Sequence, residues 1–233
     1  MNVLNMRRPF AGSILITVIL GGCATTQPIP DLSQPQSSGL GIHVTLKAPI
    51  GIFRNSPSQI YFAKIDGEGG ILQQSVFRSN YVKGGRAYLL NAQPGAYAAV
   101  AAFFSREPLP VFAPPSPGVS VSLKLGRTDY MTYFSKELVE QTKVTIGPND
   151  FAFMGSYVVD QSAGLAGADT VQIHYQGVIA PRAAMGEFLL MMTGDFHYRG
   201  TLNERKNDEQ TRNEFIRNAK EDLAGSGWAA RLK

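Results

Sequence analysis

Few side chains in this sequence are of the types that do covalent or acid–base chemistry. There is one cysteine, Cys23, and there are three histidines, His43, His174 and His197. A thiolate is readily S-alkylated near neutral pH, so Cys23, which follows Gly21 and Gly22, is the first candidate for modification. A single cysteine also excludes an intramolecular disulfide. The histidines show no His-x-His or His-Glu-x-x-His spacing, and the chain has no Gly-x-Ser-x-Gly elbow and no Ser-x-x-Lys motif. Asp195 and His197 would point the same way in an extended segment, and with a partner from elsewhere would form an acid–base or metal pair. Satisfied or exposed side chains are the plainer reading of both. Asp150, Asp160 and Asp169 lie near loops, but their spacing matches no EF-hand loop. Gly84-Gly85-Arg86 and Gly164-Leu165-Ala166-Gly167 lack the strand–loop–helix setting of a phosphate cradle and read as turns. No catalytic residue, cofactor or metal is assigned, and a non-enzymatic protein is expected.

The surroundings of Cys23 are more informative. Residues 1–10 hold Arg7 and Arg8 and no acid, and residues 11–20, AGSILITVIL, are uncharged and largely apolar. Ten residues span roughly 15 Å as a helix, half the hydrocarbon core of a bilayer, so this run fits a secretory signal rather than a membrane anchor. Leu20-Gly21-Gly22-Cys23 resembles the lipobox of bacterial lipoproteins. That resemblance implies diacylglycerol on the Cys23 sulfur, cleavage before it, and N-acylation of the new terminus, so that the membrane is a partner through this lipid. Ala24 in the next position resembles outer-membrane sorting. Arg7-Arg8-Pro9-Phe10 partly resembles a twin-arginine signal, although an ordinary basic flank explains it as well. Without Arg7 and Arg8 the chain carries 20 basic and 18 acidic side chains, a net charge of +2, too balanced for nucleic-acid binding.

These observations divide the chain into a signal peptide (1–22), a lipidated cysteine with a flexible tether (23–39), a β-rich body (40–202) and a charged C-terminal helix (203–233). The tether is expected to be extended because Pro28, Pro30 and Pro35 interrupt small polar residues that bury little surface. Over the whole chain, 44% hydrophobic composition rules out general disorder. Strands are predicted at 42–47, 58–66, 71–78, 86–91, 96–104, 119–125 and 129–134, with 96–104 buried on both faces beneath bulkier side chains. Residues 143–146 and 150–160 read as a hairpin, and Val171, Ile173 and Tyr175 alternate as a strand with His174 on its exposed face. Ser135 is predicted to cap a short helix over 136–141. The Pro-rich stretch 107–118 reads as a stiff loop carrying Phe112, and 185–192 as a core run or an exposed patch. Near the C-terminus Phe215, Ile216, Ala219 and Leu223 form a helical stripe, with Thr211 and Glu214 as a capping box, Gly225 and Gly227 as the stop and Trp228 as a plug.

Leu90-Asn91-Ala92-Gln93-Pro94-Gly95-Ala96-Tyr97 resembles the turn-and-strand of transthyretin-like, or carboxypeptidase-regulatory-like, β-sandwiches. Tyr133-Phe134-Ser135, Phe153-Met154-Gly155, Tyr157-Val158-Val159 and Gly227-Trp228 are similar to an uncharacterised group of bacterial lipoproteins. The resemblance implies a mainly β fold, an antiparallel β-sandwich of transthyretin-like or Ig-like type with a docked C-terminal α-helix, and a module that is often non-catalytic. The expected function is binding or structural support at the outer membrane, with an envelope protein as a further partner. The alternatives are an envelope hydrolase using Asp195 and His197, and an accessory subunit of an export or secretion complex.

Overall fold

The structure is a computed structural model that describes residues 27–49, 53–65, 70–106, 127–181 and 195–232. Cys23, the apolar run 11–20, the Pro-rich stretch with Phe112, the expected strand 119–125 and the run 185–192 lie outside the described residues. No helix among the described residues is long and apolar enough to cross a membrane.

The fold is mainly β, built on one curled, mixed sheet. Its long strands are β1 (Ser38–Lys47), β3 (Gln59–Ile65), β6 (Arg86–Ala92), β7 (Gly95–Arg106), β8 (Thr128–Phe134), β10 (Phe151–Ala163) and β11 (Asp195–Lys206). Shorter strands are β2 (Arg54–Asn55), β4 (Val76–Arg78), β5 (Tyr81–Lys83) and β9 (Val144–Ile146). The order is β4-β3-β7-β8-β11-β10-β1-β6-β5, with β2 paired to β1 and β9 to β7. Two pairs run parallel, β1 with β10 and β8 with β11, so the sheet departs from the expected all-antiparallel pairing. Parallel neighbours are joined through long crossovers rather than turns, and local punctuation does not announce them.

Alternation places strand β1 correctly: Leu40, Ile42, Val44 and Leu46 are all buried. Strand β7 also follows its composition. Ala98 to Ala102 are fully buried, and the same core takes in Phe62, Tyr133, Phe134, Tyr157 and Tyr175 to fill the volume the alanines leave. Helix α1 (Lys136–Gln141) begins where Ser135 accepts from Leu138 N–H, as its sequence predicts. The 143–160 hairpin is not formed, because β9 pairs with β7 and β10 takes its place between β1 and β11. The segment Val171–Tyr175 is also not a strand. It is helix α2 (Thr170–Ile179), capped reciprocally by Asp169 and Gln172. Val171 and Tyr175 are buried at i and i+4 while Ile173 is exposed, a helical period that also satisfies alternation over so short a run.

A second core lies against the other face of β1. Helix α3 (Glu209–Asp222) brings Phe215 and Ala219 onto Tyr88, Phe151 and Trp228. Close approach requires glycine in β1: a methyl at Gly41 would lie 2.5 Å from Phe215 Cζ, and one at Gly39 2.7 Å from Phe151 Cδ2. The cap of α3 is Asp208, whose carboxylate accepts from Thr211 N–H and Oγ1–H, rather than the expected Thr211–Glu214 box. Gly225 ends this region with φ +78°, and Trp228 is fully buried.

The expected tether ends earlier than composition suggests. Residues 27–37 run along the second core, where Ile29 and Leu32 pack, and Trp228 Nε1 donates to Pro30 O at 2.9 Å. Two apolar anchors and pre-stiffened prolines lower the entropy of fixing this strap.

Candidate functional site

Two sites offer space and chemistry. The larger is a cavity of about 380 Å³ at the end of the sheet where β1 and β7 finish and β8 and β11 begin. It is lined by Ala48, Pro49, Phe53, Asn55, Phe104, Arg106, Tyr130, Gln161, Ala163 and Tyr198. Cross-strand register builds its aromatic wall, because Phe104 pairs with Tyr130, and Phe196, which also pairs with Tyr130, backs that ring without lining the cavity. Phe104 and Tyr130 stack at 4.5 Å and 1°, Tyr130 and Phe196 at 5.5 Å and 16°, and Tyr198 lies 6.2 Å from Tyr130. Aligned rings on adjacent strands stabilise the pairing and hold their edges in fixed positions.

The polar complement is sparse. Arg106 donates to Asn55 Oδ1 at 2.5 Å and lies 5.9 Å from the centre of the Phe104 ring. Among the described residues no carboxylate forms an ion pair with Arg106. Gln161 is turned inward to Thr132 Oγ1 at 2.7 Å. Phe53 remains 56% exposed at the mouth. Burial pushes the Tyr198 hydroxyl above its ordinary range, and neighbouring Tyr130 adds to this while Arg106 opposes it, so this hydroxyl stays neutral at neutral pH. The cavity therefore suits an apolar body carrying an anionic or acceptor head near Arg106.

The second site is a cavity of about 260 Å³ between the sheet and α3, lined by His43, Arg86, Phe153, Ser156, Lys206, Thr211, Glu214, Phe215 and Asn218. His43 Nδ1 and Ser156 Oγ are 2.9 Å apart. A bulge aligns them: Gly41 pairs with Phe153 and His43 with Ser156, so β10 carries an extra residue there, and Gly155 has φ +118°. Burial, and then the Arg86 charge, lower the His43 pKa below its ordinary 6.5, which keeps the ring neutral. Arg86 itself is held by Asp222, at 2.6 and 3.0 Å.

The histidines are thus dispersed. His174 Nε2 meets Gln73 O at 2.9 Å on α2, and His197 Nδ1 meets Tyr133 OH at 2.9 Å with the rings stacked. Asp195 and His197 do occupy alternate positions of β11 beside Tyr133. That hydroxyl is pushed far above its ordinary range, mostly by burial and then by Tyr61 and Asp195, so it is held neutral. Asp150, Asp160 and Asp169 do not converge. Asp150 accepts from Phe151 N–H, Asp160 pairs with Lys47 at 3.2 Å, and Asp169 caps α2 and accepts from Lys136 N–H. No cluster of metal-ligating side chains occurs among the described residues.

Sequence reading missed both cavities. Phe104, Tyr130 and Tyr198 are far apart in the chain, and 113 positions separate His43 from Ser156. Gly155, a glycine inside a strand, was the one local sign of the bulge. No protein-family model, curated protein or solved structure matches this chain.

Proposed function

We propose that the chain is a lipid-anchored, non-catalytic binding protein of a bacterial envelope, attached through Cys23 to the outer membrane. Its working surface is the aromatic cavity, and its ligand is a small amphiphile with an acyl or aromatic body and an anionic head. The stacked wall of Phe104, Tyr130 and Tyr198 beside Arg106 supports this reading. The anchor is supported by the Leu20-Gly21-Gly22-Cys23 motif. A transthyretin-like relationship belongs to the same proposal. Its support is the turn between β6 and β7, where Gly95 has a positive φ of +148° and Tyr97 OH donates to Gln93 O at 2.9 Å.

The test is titration of the protein with 11-dansylaminoundecanoic acid, an apolar chain ending in a carboxylate. Saturable enhancement of dansyl emission in the wild type is expected. Tyr130→Ala should weaken binding about tenfold or more, and Arg106→Gln about three- to tenfold. Linear, unsaturable enhancement, or binding that both variants leave unchanged, rejects the cavity as the binding surface.

One contact favours a hydrolytic alternative, and it relocates the expected Asp195/His197 site. Ser156 Oγ would attack an ester carbonyl carbon while its proton passes to neutral His43 Nδ1 and then to the departing alkoxide. Water would next cleave the acyl-enzyme, and the acid would be released. Covalent labelling by a fluorophosphonate, lost in Ser156→Ala, would support this reading, and an unlabelled wild type would remove it.

A further inference from the structure

The strap between Cys23 and β1 is bolted to the body throughout its described length. Gln27 Nε2 donates to Asn80 O at 3.0 Å, Asn91 Nδ2 to Asp31 O at 2.8 Å, and Ser33 N–H to Asn91 Oδ1 at 2.9 Å. Arg231 donates to Pro35 O at 2.7 Å and to Ser37 O. Leu32 leaves no room beside Gly227, where a methyl would lie 2.5 Å from Leu32 Cδ1.

This arrangement sets the length of the leash. If residues 24–39 were free, they would reach roughly 50 Å from the membrane at about 3.1 Å per residue. With Gln27 fixed, the chain from Cys23 spans at most about 14 Å. The fixed point lies at one end of the sheet. Asn80 precedes β5, whose Tyr81 pairs through Tyr88 with Gly41, and the β6–β7 turn lies beside Ser38, which pairs with Ala92. Ala48 and Pro49, in the cavity wall, follow the opposite end of β1, about 30 Å away at 3.3 Å per residue. The solvent-facing side chains around the strap include the uncharged Gln34, Gln36 and Gln93 and one acid, Asp31.

We infer that the strap is a rigid mount. It holds the β6–β7 end of the sheet against the surface of the bilayer that carries the Cys23 lipid, and it directs the aromatic cavity away from that bilayer. The inference rests on the proposed lipidation of Cys23. It means that the cavity takes its ligand from the aqueous space or from an apposed surface, not from the anchoring leaflet.

The full lipidated chain, extracted from membranes, is reconstituted into phosphatidylethanolamine–phosphatidylglycerol vesicles containing a rhodamine-headgroup lipid. Gln93→Cys and Arg54→Cys variants carry a maleimide donor, both positions being exposed. Native Cys23 is the sole other cysteine, and its lipid blocks it. Quenching at position 93 should exceed that at position 54 at least threefold. Inserting twenty Gly/Ser residues after Ala24 should bring the two close to equality. Equal quenching in the uninserted protein, or stronger quenching at 54, overturns the mount while leaving the anchor intact. Failure of the wild type to float with vesicles, with maleimide on Cys23, overturns the anchor and the mount with it.

Discussion

The two ends of the sheet use aromatic residues in opposite ways. At the strap end Tyr81, Tyr88 and Trp228 are almost completely buried, and their polar atoms are taken up internally. Tyr88 OH donates to Asp222 at 2.6 Å, Tyr81 OH to Asp222 O at 3.0 Å, and Trp228 Nε1 to Pro30 O. At the cavity end Tyr130, Phe196 and Tyr198 are only partly buried, the latter two stack on Tyr130, and the nearby cation is held by a neutral amide. Closed aromatic packing with satisfied hydrogen bonds stabilises the chain's own structure. Half-covered rings beside a cation that no acid among the described residues pairs with leave binding capacity for something else.

The contrast can be broken most severely at the strap end. Trp228→Ala removes a fully buried indole and should cost about 3–5 kcal/mol of stability. Urea denaturation should show the loss, and limited proteolysis should show early cutting within residues 27–37. Asp222→Asn comes next. Its carboxylate, 3% exposed, neutralises Arg86 and accepts from Tyr88. Leaving that guanidinium without its charge partner should cost about 3 kcal/mol in the same assay, whereas losing the half-exposed Lys47–Asp160 pair should cost about 1 kcal/mol or less.

Tyr130→Ala sharpens the comparison from the other side. It removes partly exposed stacking, so it should lower stability by only about 1–2 kcal/mol while abolishing most binding of the dansyl probe. The smallest effect concerns pH. The folded-state pKa of His43 lies below its unfolded value of 6.5, so below pH 6.5 the unfolded chain binds a proton that the folded chain refuses. Stability from this residue is complete above 6.5 and declines as pH falls towards the folded pKa. Urea midpoints for His43→Gln should show a weaker decline than the wild type across that window.

What was legible in the sequence was local. Ser135 before Lys136–Gln141, the stripe Phe215–Ala219–Leu223 and the alternation of β1 each depend on neighbours within one turn or one strand, and each stands in the structure. Helix α2 was misread because Val171, Ile173 and Tyr175 satisfy two periods at once, although Asp169 and Gln172 already formed a capping box. The parallel pairings, the docking of the Pro-rich strap and both cavities depend on contacts across many tens of residues. Nothing in the composition of residues 27–37 shows that a tryptophan 198 positions away from Pro30 will bond to it.

The claim on which the account depends most is that Cys23 carries lipid and fixes the protein in the envelope. Metabolic labelling with a clickable palmitate analogue, wild type against Cys23→Ala, followed by membrane fractionation, tests it directly. Label and outer-membrane recovery in the wild type alone are the expected result. An unlabelled, soluble wild-type protein would contradict it, leaving Cys23 a free thiol and the cavity without a membrane to face away from.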